Sequence, residues 1–121
     1  MTTRRRRHRR KSPAERLGLT LEQYRALTPR DKYLRLTYDI TERQYEYMLA
    51  LTGGGCNICR RRPKPGRRLP VDHDHKTGRV RGALCFRCNH RLLGRGLEDA
   101  RLHESAAEYL RSDFDGRRVG F

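Results

Sequence analysis

Two sets of residues in this chain have the types and spacing to do chemistry. Cys56-Asn57-Ile58-Cys59 and Cys85-Phe86-Arg87-Cys88 are Cys-x-x-Cys pairs with 25 residues between them, a spacing that suits one tetrahedral zinc ion held by four thiolates. Four sulfurs at about 2.3 Å complete the coordination sphere, so such a zinc is structural and leaves no open position. Cytosolic thiols are kept reduced, which favours a metal over two disulfides. Between the pairs lies Val71-Asp72-His73-Asp74-His75. This run joins hard carboxylate oxygens suited to Mg²⁺ with imidazoles that exchange protons near neutral pH. The zinc needs neither His73 nor His75, so both require another role. Alternation along a regular strand would put Asp72 and His73 on opposite faces. For both to serve one ligand, the backbone has to leave regular strand geometry at that point. An exposed polar strand end is the plain alternative, and two Asp-His pairs inside a four-cysteine frame weigh against it.

The rest of the chain indicates what that ligand is. A formal charge of +15, from 29 Lys and Arg against 14 Asp and Glu, sets up a positive field that points to a polyanion, with nucleic acid the first candidate. An apolar fraction of 35% is low for a chain of 121 residues that must bury a core unaided, so a staple is expected. No apolar run approaches the ~20 residues that span a bilayer. The basic start from Arg4 to Arg7 is not followed by the apolar stretch of a signal peptide. An intracellular, cytoplasmic protein is expected.

The elements that must position the site can be read from caps and breakers. Residues 1–11 carry seven Lys or Arg and His8, a composition that predicts a disordered arm suited to lying on phosphates. Ser12-Pro13-Ala14-Glu15 and Thr20-Leu21-Glu22-Gln23 have capping-box spacing, Thr28-Pro29 puts proline at a first helical position, and Thr41-Glu42-Arg43-Gln44 opens a helix to about Leu51. Gly53-Gly54-Gly55 ends it. Tyr24, Leu27, Tyr45 and Met48 stand at matching places in two similar segments and read as packing residues. The stretch Arg60 to Arg68 is a basic loop whose prolines resist regular structure. Leu69 to Val71 starts a strand, Lys76-Thr77-Gly78 turns it, and Arg79 to Leu84 returns as its partner. A short helix is expected near Cys88 and an amphipathic one from Leu97 to Leu110, with Leu102, Ala106, Tyr109 and Leu110 along one face.

Taken together, Cys56 and Cys59, Val71 to His75, Thr77-Gly78, Val80-Arg81-Gly82-Ala83-Leu84-Cys85 and Cys88-Asn89 resemble the phage recombination endonuclease VII family, a His-Me finger (HNH) nuclease group. The resemblance implies a small α+β fold: a zinc-stapled ββα-metal core over residues 53–115, a helical extension over 12–52, the basic arm and a tail over 116–121. It implies Asp72 and Asn89 as ligands of a catalytic Mg²⁺ (or Mn²⁺), His73 as general base and His75 as a second active-site histidine. One or two protein oxygens plus substrate phosphate are a usual Mg²⁺ set. Read alone, Asn89 would be a helix cap. Where some members carry an acid one helical turn after the asparagine, this chain has Leu92. The implied activity is a DNA endonuclease or nickase, with branched or recombination DNA as the candidate substrate. DNA is the implied partner, with a second copy of the chain (a homodimer) or phage packaging and recombination proteins as further candidates. The competing reading is a non-catalytic zinc-finger module that binds nucleic acid in packaging or regulation.

Overall fold

Hydroxyl-capped turns open the first four helices in the computed structural model, which describes residues 8–94, 98–113 and 117. Helix α1 spans Pro13–Arg16, α2 Leu21–Ala26, α3 Pro29–Tyr38 and α4 Glu42–Leu51. Thr20 and Thr41 each form the reciprocal capping box. Their hydroxyls accept from the N–H of Gln23 and Gln44, and the two glutamine side chains accept from the cap N–H groups. At Ser12 only half of the expected box forms. Its hydroxyl accepts from Glu15 N–H, but the Glu15 carboxylate instead takes a hydrogen bond from Arg9 at 2.9 Å.

The hairpin is shorter than the sequence suggests. Strand β1 is Val71–His73 and β2 is Val80–Ala83, paired antiparallel. Leu69 and Pro70 approach as extended chain outside β1, and Pro70 has no N–H to give a ladder. Their carbonyls are still used: Leu69 O accepts from the Tyr45 hydroxyl at 2.7 Å and Pro70 O from Leu84 N–H at 2.9 Å. A π-helical turn, Arg87–Leu92, follows the second cysteine pair where a short helix is expected.

One core joins α3, α4, the hairpin and the cysteines. Leu34, Tyr45, Cys56, Leu69, Val71, Ala83, Leu84 and Cys88 are buried against one another. Leu34 comes from α3 and Tyr45 from α4, so the helices in front of the first cysteine pair lie directly over the hairpin. Tyr45 is therefore packing, as expected, and the Arg30 guanidinium sits 4.7 Å from the centre of its ring. At the α3–α4 junction the Asp31 carboxylate accepts from Arg35 and from Glu42 N–H, which sets the angle between the helices.

Helix α5 spans Ala100–Arg111, and Asp99 caps it through the N–H groups of Arg101 and Leu102. None of its residues is buried, and Leu102, Tyr109 and Leu110 are exposed. Its apolar stripe exists but faces no core among the described residues. Of the expected basic arm, residues 1–7 lie outside the described residues and residues 8–11 form neither helix nor strand. The expected start of the last helix at Leu97 and all of the 116–121 tail except residue 117 also lie outside them. No described helix is long and apolar enough to cross a membrane.

Candidate functional site

The four cysteines meet. All are free of disulfides, and their sulfurs lie within 4.8 Å of one another. Cys59 Sγ and Cys85 Sγ are 3.7 Å apart. Sulfurs at about 2.3 Å on tetrahedral axes stand about 3.8 Å apart, so this geometry fits one zinc ion. Local structure brings them there: Cys56 N–H donates to Arg61 O and Arg60 N–H to Cys56 O, folding the first pair into a knuckle. Asn57 N–H donates to Ala83 O, which ties that knuckle to β2. The Asn57 side-chain amide lies against Gly82, where a Cβ would displace it. Burial penalises the Cys56 thiolate, yet N–H groups of Cys59, Cys85 and Ile58 outweigh it and hold the thiol near 6. Cys88 is pushed up to about 12 by burial and by the sulfurs of Cys85, Cys56 and Cys59. Thiols that oppose one another's ionisation in this way are relieved by a shared cation.

At the acidic-histidine run the pairing of the two strands changes register. Val71 pairs with Ala83 and Asp72 with Gly82, but His73 pairs with Val80, a register shift between Asp72 and His73. The extra residue, Arg81, is on β2. A bulge re-aims side chains next to the added residue. Here Arg81 turns onto Asp72, with Nε to Oδ2 at 2.7 Å and Nη2 to Oδ1 at 3.1 Å. Asp72 is 7% exposed, and this two-pronged pair is what makes a buried carboxylate tolerable. Arg81 Nη2 also reaches His73 O and Glu98 Oε1 at 3.4 and 3.3 Å. Its hydrogen bond to Asp72, followed by that to Glu98, holds the guanidinium charged more firmly than usual.

The remaining residues of the run separate by role. The His73 ring lies 4.6 Å from that of His75 and 5.5 Å from that of Tyr38, the last residue of α3. His75 is exposed. Asp74 is a turn residue, since its Oδ1 accepts from Lys76 N–H at 2.7 Å and Thr77 N–H at 3.1 Å. Those two N–H groups hold its carboxyl below the usual 3.8. Gly78, with φ +76°, closes the turn by donating to Asp74 O.

Asn89 lies half-buried on the π-helical turn directly after Cys88, and its N–H donates to Cys85 O at 2.9 Å. The turn's far end closes on the Asp72 strand: Leu93, just past it, lines a cleft with Asp72, Arg81 and Asn57. Asn57 Oδ1 is buried there without a hydrogen-bond partner. A larger cleft beside it is lined by Asp74, His75, Lys76, Arg81, Leu93, Gly94, Glu98 and Asp99. The structure thus packs the His73 ring between those of His75 and Tyr38 and pairs Asp72 with Arg81, with Asn89 on the turn whose end, at Leu93, lines the Asp72 cleft. It records no contact between Asn89 and either Asp72 or His73.

Reasoning from the sequence missed Arg81, Glu98 and Tyr38. Arg81 stood inside the Val-Arg-Gly run, yet only the bulge turns it toward Asp72. Glu98 and Tyr38 arrive from elements distant in sequence, and no local pattern flags them.

Comparison with known proteins places this geometry in context. The family profile described as recombination endonuclease VII matches residues 30–112. The chain is 41% identical over 87 residues to the Gene 59 protein of Mycobacterium phage D29, covering 72% of this chain and 53% of that protein. It is 42% identical over 86 residues to the Gene 59 protein of Mycobacterium phage L5, covering 71% and 52%. The chain thus spans about half the length of these curated relatives. No solved structure matches it.

Proposed function

Because the chain belongs to the recombination endonuclease VII family, we propose that it is a Mg²⁺-dependent (or Mn²⁺-dependent) DNA endonuclease or nickase that hydrolyses phosphodiester bonds on a zinc-stapled ββα-metal (His-Me finger) core. The observation that carries this reading is the register shift between Asp72 and His73, inside the loop closed by the four cysteines. A pure binder of nucleic acid needs Lys and Arg, not Asp72, which repels phosphate unless a cation is present.

In this reading the core spans 53–115, and α3 and α4 of the 12–52 extension support it through Leu34 and Tyr45. Asp72 and Asn89 would hold the ion. Their donor chemistry fits it: a carboxylate has about four acceptor positions, two remain after the Arg81 pair, and an amide oxygen is equally hard. When bound, the ion stabilises charge on the phosphate and the leaving oxygen. Neutral His73 takes the proton of the attacking water at a ring nitrogen, a role typically worth about 10²–10⁴-fold. His75 and Tyr38 flank the His73 ring and limit its orientations, while Arg81 holds the Asp72 carboxylate in place. The charge of +15, including the basic loop Arg60 to Arg68, supplies affinity for DNA without reading sequence. Homodimerisation, phage packaging or recombination partners and an intracellular setting in the host belong to this proposal.

The arrangement of Asp72 also supports a second reading. Both of its oxygens are engaged by Arg81, as in a hairpin locked for binding alone. Incubating the parent chain with supercoiled plasmid separates the two. Nicking that needs Mg²⁺ or Mn²⁺, and that falls about 10²–10⁴-fold in His73→Ala, supports the nuclease. Salt-sensitive binding with no cleavage in Mg²⁺, Mn²⁺ or Ni²⁺ supports the binding module.

A further inference from the structure

The outer face of the second cysteine knuckle carries a feature that the hydrolytic site does not use. Phe86 stands between Cys85 and Cys88, yet its side chain projects outward and is 62% exposed. Its ring lies over that of His90, with centroids 4.4 Å apart and planes 30° from parallel. Four residues on a π-helical turn bring side chains almost back to the same azimuth, so the stack runs along one side of the turn. Cys88, two residues from each, faces inward and is buried. Arg87 and Arg91 on the same turn are exposed, and no residue from Phe86 to Leu92 is acidic. Beside them a groove between the two knuckles has exposed Ile58 and Leu92 in its lining, with Arg87 and Arg91.

An exposed phenylalanine gains nothing from water, and this one sits inside the second cysteine pair with its ring against His90. Aromatic faces combined with arginines are how proteins hold single-stranded nucleic acid: bases stack on the rings, and the cations follow the phosphates. A paired base inside a duplex cannot present its face to such a ring. We propose that Phe86 and His90 form a stacking platform for an unpaired DNA base, with Arg87 and Arg91 on the adjoining phosphates. Resting on the reading of the chain as a DNA enzyme, this adds a preference for single strands over duplex beside Asn89, the residue preceding His90.

The proposal is tested by binding without Mg²⁺, which separates it from cleavage. The zinc-loaded chain is titrated by fluorescence anisotropy against an oligothymidine strand and against an abasic strand of equal length, which has the same phosphates and no bases. The parent is expected to bind the thymidine strand about 5- to 150-fold more tightly, the range found when a stacking ring is removed. Phe86→Leu keeps apolar bulk without a ring and should lose that difference, whereas Phe86→Tyr should retain it at equal zinc content. Arg87→Ala should weaken both strands alike and lower the salt slope by about one. If Phe86→Leu favours the thymidine strand as strongly as the parent does, or if the parent shows no preference, the platform is overturned and the patch serves another occupant such as a protein. Neither result bears on whether Asp72 and His73 cut DNA, and failure to cut would leave the base preference standing.

Discussion

Replacing Cys88 with serine should unfold this protein rather than merely weaken it. The described core is small: nine buried apolar residues, of which Cys56 and Cys88 are themselves two. Burying a Val- or Leu-sized side chain contributes about 1.5–3 kcal/mol, against an ordering cost of about 1–2 kcal/mol for every residue fixed. So thin a core leaves little net stability. Structural zinc contributes about 10–16 kcal/mol in peptides of similar design, as much as the whole stability of an ordinary domain. The four sulfurs also join both knuckles to the hairpin, so losing one ligand releases Asn57 from β2 and Asn89 from its turn. The assay is zinc content by a colorimetric chelator, paired with a thermal melt followed by far-ultraviolet circular dichroism. Cys88→Ser and the parent treated with a strong chelator should both lack a cooperative transition. A Cys88→Ser protein that melts cooperatively without zinc would refute the reasoning.

Three further outcomes follow from individual contacts. Tyr45→Phe leaves the buried Leu69 carbonyl without its 2.7 Å donor and should destabilise by about 1–3 kcal/mol, seen as a fall in Tm on the order of 5 °C per kcal/mol. Thr41→Ala removes a complete capping box from the ten-residue α4 and should cost about 0.5–2 kcal/mol in a denaturant titration. Ser12→Ala, at a half-formed box on a four-residue helix, should cost less. Zinc-bound thiolates ionise far below the free-thiol range, so the stability they confer is present above it and lost as pH falls. Zinc release measured by chelator absorbance should therefore rise as pH is lowered from 7 toward 5, together with loss of the helical signal.

What could be read from the sequence was local or had an unmistakable spacing. The cysteine pairs specify their own geometry, because two residues between ligands make a knuckle wherever they occur. Thr20, Thr28 and Thr41 mark helix starts because a cap depends only on the next three residues. Strand alternation asks for a break between Asp72 and His73 if both serve one ligand, but it does not foresee the register shift that an added residue, Arg81, makes on the opposite strand. Arg81 could not be assigned, since its position depends on register, a property of two strands jointly. Asp74 looked equivalent to Asp72 in the run, yet its carboxylate closes the turn onto Lys76 and Thr77. The stripe of α5 was correctly read as amphipathic. Periodicity reports that a face is apolar and is silent on what covers it, and here Leu102, Tyr109 and Leu110 remain exposed.

The central claim is that Asp72 and His73 act together on DNA at a site the zinc supports but does not share. Its most direct test is Mg²⁺-dependent nicking of supercoiled plasmid by the parent, Asp72→Ala and His73→Ala, with zinc content measured on the same preparations. The account predicts full zinc occupancy in all three and nicking by the parent alone. Variants that carry zinc and cut as fast as the parent would contradict it.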